Sequence, residues 1–121
     1  MTDPRLNEAE HRFLANPPRA LGRVATVGAD GVPHVVPSSW SFNAALATVD
    51  VTGRDVHTTK KFRDVARSGT AAIVIDGIAP GEGWRPWAIE IAGRAEAVAG
   101  PPSLIRIHLD RVRSWGLESA I

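Results

Sequence analysis

A chain of 121 residues, 44% of them hydrophobic, has room for one core and reads as a single domain spanning residues 1–121. Lys and Arg number 14 against 13 Asp and Glu, a formal charge of +1, so nothing global points to nucleic acid and any electrostatic function is local. The absence of cysteine excludes disulfides, thiolate nucleophiles and Cys-ligated metals, and with no long apolar run and no hydrophobic leader after Met1-Thr2-Asp3 the sequence reads as a cytoplasmic chain with no membrane segment.

In chain order, Asn7-Glu8-Ala9-Glu10 has the form of a capping box opening a short helix that carries Phe13 and Leu14 and stops at Pro17-Pro18. Arg23 to Val27 and His34 to Phe42 are strand-like and flank Gly28-Ala29-Asp30-Gly31, a hairpin turn. Leu46 to Thr52 supplies a third strand. A short basic helix follows, capped by Thr58 or Thr59, running through Arg67 and stopped by Ser68-Gly69. Thr70 to Asp76 has a buried-strand pattern, and Gly77 to Pro86 is a Gly- and Pro-rich loop. Trp87 to Val98 alternates as a half-buried strand with a bend at Gly93, and Leu104, Ile105 and Ile107 begin the last strand. The order predicts a mainly β (α+β) fold, a six-stranded antiparallel barrel with short flanking helices.

The basic helix is the most informative segment. Lys60, Lys61 and Arg63 crowd its first turn, where open amides and the positive end of the helix dipole disfavour each cation by roughly 0.3–1 kcal/mol. An anion bound there would reverse the sign, and the hydroxyls of Thr58 and Thr59 converge on the same point, as a phosphate site requires. A merely solvated basic turn is the competing reading.

Enzymatic motifs are absent. His11, His34, His57 and His108 lack zinc-ligand spacing, so no metal site is expected, and there is neither a nucleophile elbow nor a phosphate-binding Gly-rich loop. Arg106, His108, Arg111 and Arg113 fit a solvated strand face better than a nucleic-acid stripe. An enzyme of this composition would take its chemistry from a bound cofactor, and no catalytic side chain can be named.

The ordered set Arg23 to Val27, Asp30 to Pro37, Thr59-Lys60-Lys61-Phe62-Arg63 and Ala72 to Asp76 resembles the pyridoxamine 5′-phosphate oxidase-like split β-barrel flavoproteins. Trp84-Arg85-Pro86, Ile89 to Glu96 and Arg111 to Leu117 are similar to the actinobacterial subgroup that uses the deazaflavin coenzyme F₄₂₀. The resemblance implies a homodimer of split barrels with flavin-type sites at its interface. It implies that Lys61 ligates the cofactor phosphate beside Thr58, Thr59, Lys60 and Arg63, that the backbone of Val35, Val36, Pro37 and Ser38 lies along the ring, and that Trp115 stands near the partner's cofactor. The function implied is hydride transfer from reduced F₄₂₀ to an unsaturated or conjugated small molecule. The alternatives are an FMN-binding oxidase or flavin reductase of the same fold, and a cofactor-binding protein without turnover.

Overall fold

The computed structural model describes residues 3–120; Met1 and Thr2, part of the segment read above for a leader, and Ile121 lie outside them. Helix α1 (Glu8–Ala15) opens on the capping box expected from the sequence: the Asn7 side chain accepts from the Glu10 amide at 2.8 Å, and Glu10 accepts from the Asn7 amide at 2.9 Å. Strands β1 (Gly22–Val27), β2 (Pro33–Asn43) and β3 (Thr48–Thr52) follow, then a 3-10 turn at Val56–Thr58 and helix α2 (Lys60–Ser68). Strands β4 (Thr70–Ile78), β5 (Pro86–Val98), β6 (Leu104–His108) and β7 (Arg111–Trp115) complete the chain, with a last 3-10 turn at Leu117–Ser119. No helix among the described residues is long and apolar enough to cross a membrane.

All strand pairs are antiparallel, and β1-β2-β3-β6-β5-β4 closes into a barrel because β4 pairs with β5 as well as with β1. Two long strands belong to both halves of this barrel. β2 pairs with β1 through Ser38 and with β3 from Ser39 onward, and β5 pairs with β4 through Arg94 and with β6 from Ala95 onward. The barrel is therefore split into one sheet ordered β2-β1-β4-β5-β7 and a second ordered β2-β3-β6-β5. Val24, Val49, Val51, Ile73, Ile75, Ile89, Ile91, Ile105 and Ile107 fill the interior at near-zero exposure.

The last strand is interrupted. β6 and β7 run along the same edge of β5, and the register shifts by one residue between Ile107↔Ala95 and Arg111↔Ala92, the signature of a bulge at Leu109-Asp110. The bulge is why Arg106 and His108, then Arg111 and Arg113, face outward although their parity changes. Opposite it lies Gly93, where an added Cβ would meet Asp110 Cβ at 2.5 Å. The Gly77 to Pro86 loop is shorter than expected, because Gly77 and Ile78 pair with Trp87 and Pro86; a Cβ on Gly77 would stand 2.5 Å from the Trp87 ring.

Candidate functional site

The point where β2 changes partner organises the site. β3 ends at Thr52, opposite Ser39, and the Ser38 hydroxyl donates to the Thr52 carbonyl at 3.2 Å. Upstream of that point no described strand pairs with the outer edge of β2. In the hairpin the Gly28 amide donates to Val32 O at 3.0 Å, and the alternation of an antiparallel ladder then assigns His34, Val36 and Ser38 to bonding β1. Pro33, Val35 and Pro37 turn their backbone groups to the open edge. Two of these three have no N–H, so the edge presents carbonyls and one amide, that of Val35, whose side chain is 63% exposed.

The chain leaving Thr52 passes through Val56–Thr58 into α2, whose Lys60 Nζ lies 3.1 Å from where a Cβ on Gly28 would stand, in the hairpin that leads into the open edge of β2. Thr59 is the N-cap: its hydroxyl accepts from the Phe62 amide at 3.3 Å and donates to Val56 O at 2.6 Å. The amides of Lys60 and Lys61 carry no hydrogen bond to a described residue, and the first turn holds no acidic residue. Gly69, left-handed at φ 71°, closes the helix as its C-cap.

The two lysines differ in role. Lys60 Nζ bonds both oxygens of Asp64, at 3.0 and 3.1 Å, and Asp64 is buried at 4% exposure, where it also accepts from Thr26 Oγ1 at 2.8 Å and faces Arg67 at 3.7 Å. Burial pushes the Asp64 carboxyl up, yet the hydrogen bonds from Lys60 and Thr26 and the neighbouring charges outweigh it and hold the pKa below the usual carboxylate value. Lys61 is half-buried with no hydrogen bond or ion pair to any described residue, and desolvation pulls its pKa below that of an ordinary lysine. Arg63 donates to Thr58 O at 3.0 Å and has no carboxylate partner among the described residues, while the Thr58 hydroxyl donates to Asp55 O at 2.8 Å. Sequence reasoning missed Asp64 and Thr26; the spacing of four between Lys60 and Asp64 was the available signal.

Within one chain Trp115 is not brought to this place. It lies on β7, at the far edge of the first sheet, four strand spacings from β2, or about 19 Å. Beside it opens a cleft of about 450 Å³ whose walls include Arg23, Asp76, Ile78, Trp84 and Trp87.

Over residues 6–116 the chain matches the model of one family, described as pyridoxamine 5′-phosphate oxidase. The chain belongs to the pyridoxamine 5′-phosphate oxidase family. A curated relative in it, the 5a,11a-dehydrotetracycline/5a,11a-dehydrooxytetracycline reductase of Streptomyces rimosus, is 37% identical over 109 residues, covering 83% of this chain and 77% of the relative. An F₄₂₀ reductase superposes with a TM-score of 0.68 at 17% identity, over 89% of this chain and 98% of its own. An FAD-binding protein from Mesorhizobium loti gives 0.67 at 18% identity, over 90% and 92%. At those identities the structural likeness speaks for the fold.

Proposed function

We propose that this member of the pyridoxamine 5′-phosphate oxidase family is an oxidoreductase that binds reduced coenzyme F₄₂₀ and passes hydride to an unsaturated or conjugated small molecule. The observation that carries the reading is Lys61, a half-buried ammonium with no partner among the described residues, beside two open amides at a helix start. A phosphate there would satisfy all three groups. The open edge of β2 fits the other end of such a cofactor, because a planar ring with alternating polar atoms can use the lone Val35 amide and the carbonyls beside it. When bound, the reduced deazaflavin supplies a hydride from C5; the acceptor takes that hydride on one carbon of its C=C bond and a solvent proton on the other.

The named activity of the Streptomyces rimosus relative, reduction of a dehydrogenated polycyclic compound, supports an acceptor of this kind. F₄₂₀ is preferred to FMN because its tail carries further carboxylates, and Arg54, exposed and without an ion pair among the described residues, follows the end of β3. Arg67 is tied to Asp64 and to Val27 O.

The reading includes a dimer. The outward face of the first sheet carries Val35, Ala25, Ala72, Ala92 and Arg111 in one cross-strand row, and Pro37, Arg23, Val74, Glu90 and Arg113 in the next. The small residues at the centre of the first row, flanked by the cations Arg23, Arg111 and Arg113 and the anion Glu90, suit a second copy of the same face. A two-fold axis along the strands, above the central strand β4, would lay β7 of one protomer over the β2 edge of its partner and so bring Trp115 to the partner's site.

The test is a titration of the purified protein with F₄₂₀ and with FMN, followed by absorbance and fluorescence in identical salt. Tighter binding of F₄₂₀ is expected. Equal or tighter binding of FMN, whose ribityl chain ends in a phosphate without the F₄₂₀ tail, would assign the site to flavin.

A further inference from the structure

Of the four tryptophans, Trp87 is buried against Phe13 at a ring separation of 5.4 Å, and Trp40 is half-buried with its Nε1 donating to Ala20 O at 2.8 Å. The other two are not core. Trp84 is 78% exposed and Trp115 is 49% exposed, and both line the same 450 Å³ cleft, together with Ile78 at 53%. The loop that carries Trp84 is held in shape: Ala79 donates to Arg85 O at 2.9 Å and the Arg85 guanidinium donates to Pro80 O. Trp115 is fixed by its pairing with Ala88, and beyond Ala88 in the same cross-strand row lies Asp76. Asp76 forms an ion pair with Arg23 across β4 and β1. The cleft thus offers two exposed indoles together with a donor and an acceptor side by side.

We propose that this cleft is the acceptor site, and that it takes a flat, fused-ring compound with keto or hydroxyl groups along one edge. Stacking on exposed indoles selects flat, polarizable rings, because the face of an indole interacts better with another ring than with a saturated skeleton of equal volume. The Arg23–Asp76 pair can donate to a ketone and accept from an enol, which orients the polar edge toward β1. The volume is that of a site for a drug-sized molecule. This inference rests on the proposed oxidoreductase reading, in which Trp115 approaches the partner's cofactor: the acceptor then sits in the protomer opposite the one whose Lys61 holds the phosphate.

The experiment uses 1,8-dihydroxyanthraquinone as the flat probe and 1-adamantanol as the compact one, titrated calorimetrically into the full chain and into Trp84→Ala and Trp84→Phe, with F₄₂₀ titrated in parallel and the mass followed by light scattering. The anthraquinone should bind the native chain and the adamantanol should not. Trp84→Ala should lose about tenfold or more in affinity for the anthraquinone. Trp84→Phe should keep most of it, with F₄₂₀ affinity and mass unchanged in both. Native affinity in Trp84→Ala would overturn the proposal, and so would a fall in mass, which would make the indole a subunit contact. Trp84-dependent binding of the anthraquinone by a chain that takes neither F₄₂₀ nor FMN would leave the cleft standing and remove the oxidoreductase reading. F₄₂₀ binding without any anthraquinone binding would do the reverse.

Discussion

Replacing Lys61 with Glu separates a ligand-binding role from a structural one, because the two predict opposite signs. The side chain has no partner to lose among the described residues, and desolvation already disfavours its charge. Lys61→Glu removes a cation from the positive end of α2 and puts an anion there, a gain of roughly 0.3–1 kcal/mol, or about 1–4 °C in melting temperature for a chain of this size. Cofactor binding should move the other way. A charge-assisted bond to a phosphate contributes about 1.5–3 kcal/mol, so its loss alone lowers affinity roughly tenfold to a hundredfold, and repulsion adds to that. In the native chain the affinity should also decline as pH rises, starting below the ordinary lysine value of 10.5, because Lys61 loses its proton earlier than a free lysine. Lys60→Gln is the internal comparison: it takes two hydrogen bonds from buried Asp64 and should lower the apo melting temperature. Fluorescence titration with F₄₂₀ and thermal denaturation of the apo protein report the two quantities separately. A sharp drop in melting temperature for Lys61→Glu, with F₄₂₀ affinity intact, would refute the assignment.

Ala72→Asp places a charge on the central strand of the outward sheet face, next to the proposed two-fold axis, so light scattering should show a dimer for the native chain and, for the variant, a monomer that keeps its far-UV spectrum; a native monomer would remove the interfacial site. Gly93→Ala should cost about 1–3 kcal/mol in urea denaturation, because Asp110, 2.5 Å from the new Cβ, is held by the Arg94 amide at 2.9 Å and cannot retreat freely. Acid stability should track Asp110, whose carboxyl is held well below the usual range by hydrogen bonds from the Arg94 guanidinium and amide. Its folded pKa lies under the unfolded value of 3.8, so the unfolded chain binds more protons in that window: the contribution is complete above about 3.8 and is lost as pH falls through the lower folded value. Asp110→Asn should therefore flatten the acid limb of melting temperature against pH.

Local chemistry made much of the fold legible. The capping box at Asn7 and Glu10, the hairpin around Gly28 to Gly31, the N-cap at Thr59 and the stop at Gly69 are each decided by residues within a few positions of one another, and the sequence is enough to read them. What escaped was decided by distant pairing. The parity change from Ile105, Ile107 and Leu109 to Val112 and Ser114 marks the bulge in the last strand, but its meaning depends on Gly93 lying opposite. Asp64 looks like a surface residue of a charged helix until Thr26 and Lys60 are seen to enclose it. In the same way, the cations of α2 appeared equivalent in the sequence, and packing divides them into committed ones, Lys60 and Arg67, and an uncommitted one, Lys61. The exposure of Trp84 was not legible, because nothing local distinguishes an indole that faces solvent from one in the core.

The prolines of β2 also bear on what can approach the protein in a crowded solution. An exposed strand edge is a template on which other chains can add and aggregate, and such templating needs a run of alternating donors and acceptors. Pro33 and Pro37 break that run on both sides of Val35, so an incoming strand could form no ladder longer than a single step. A small molecule needs only that one step. The same two residues that would admit a ring to the edge therefore refuse it to a polypeptide, and replacing them would open the barrel to self-association as directly as to any ligand.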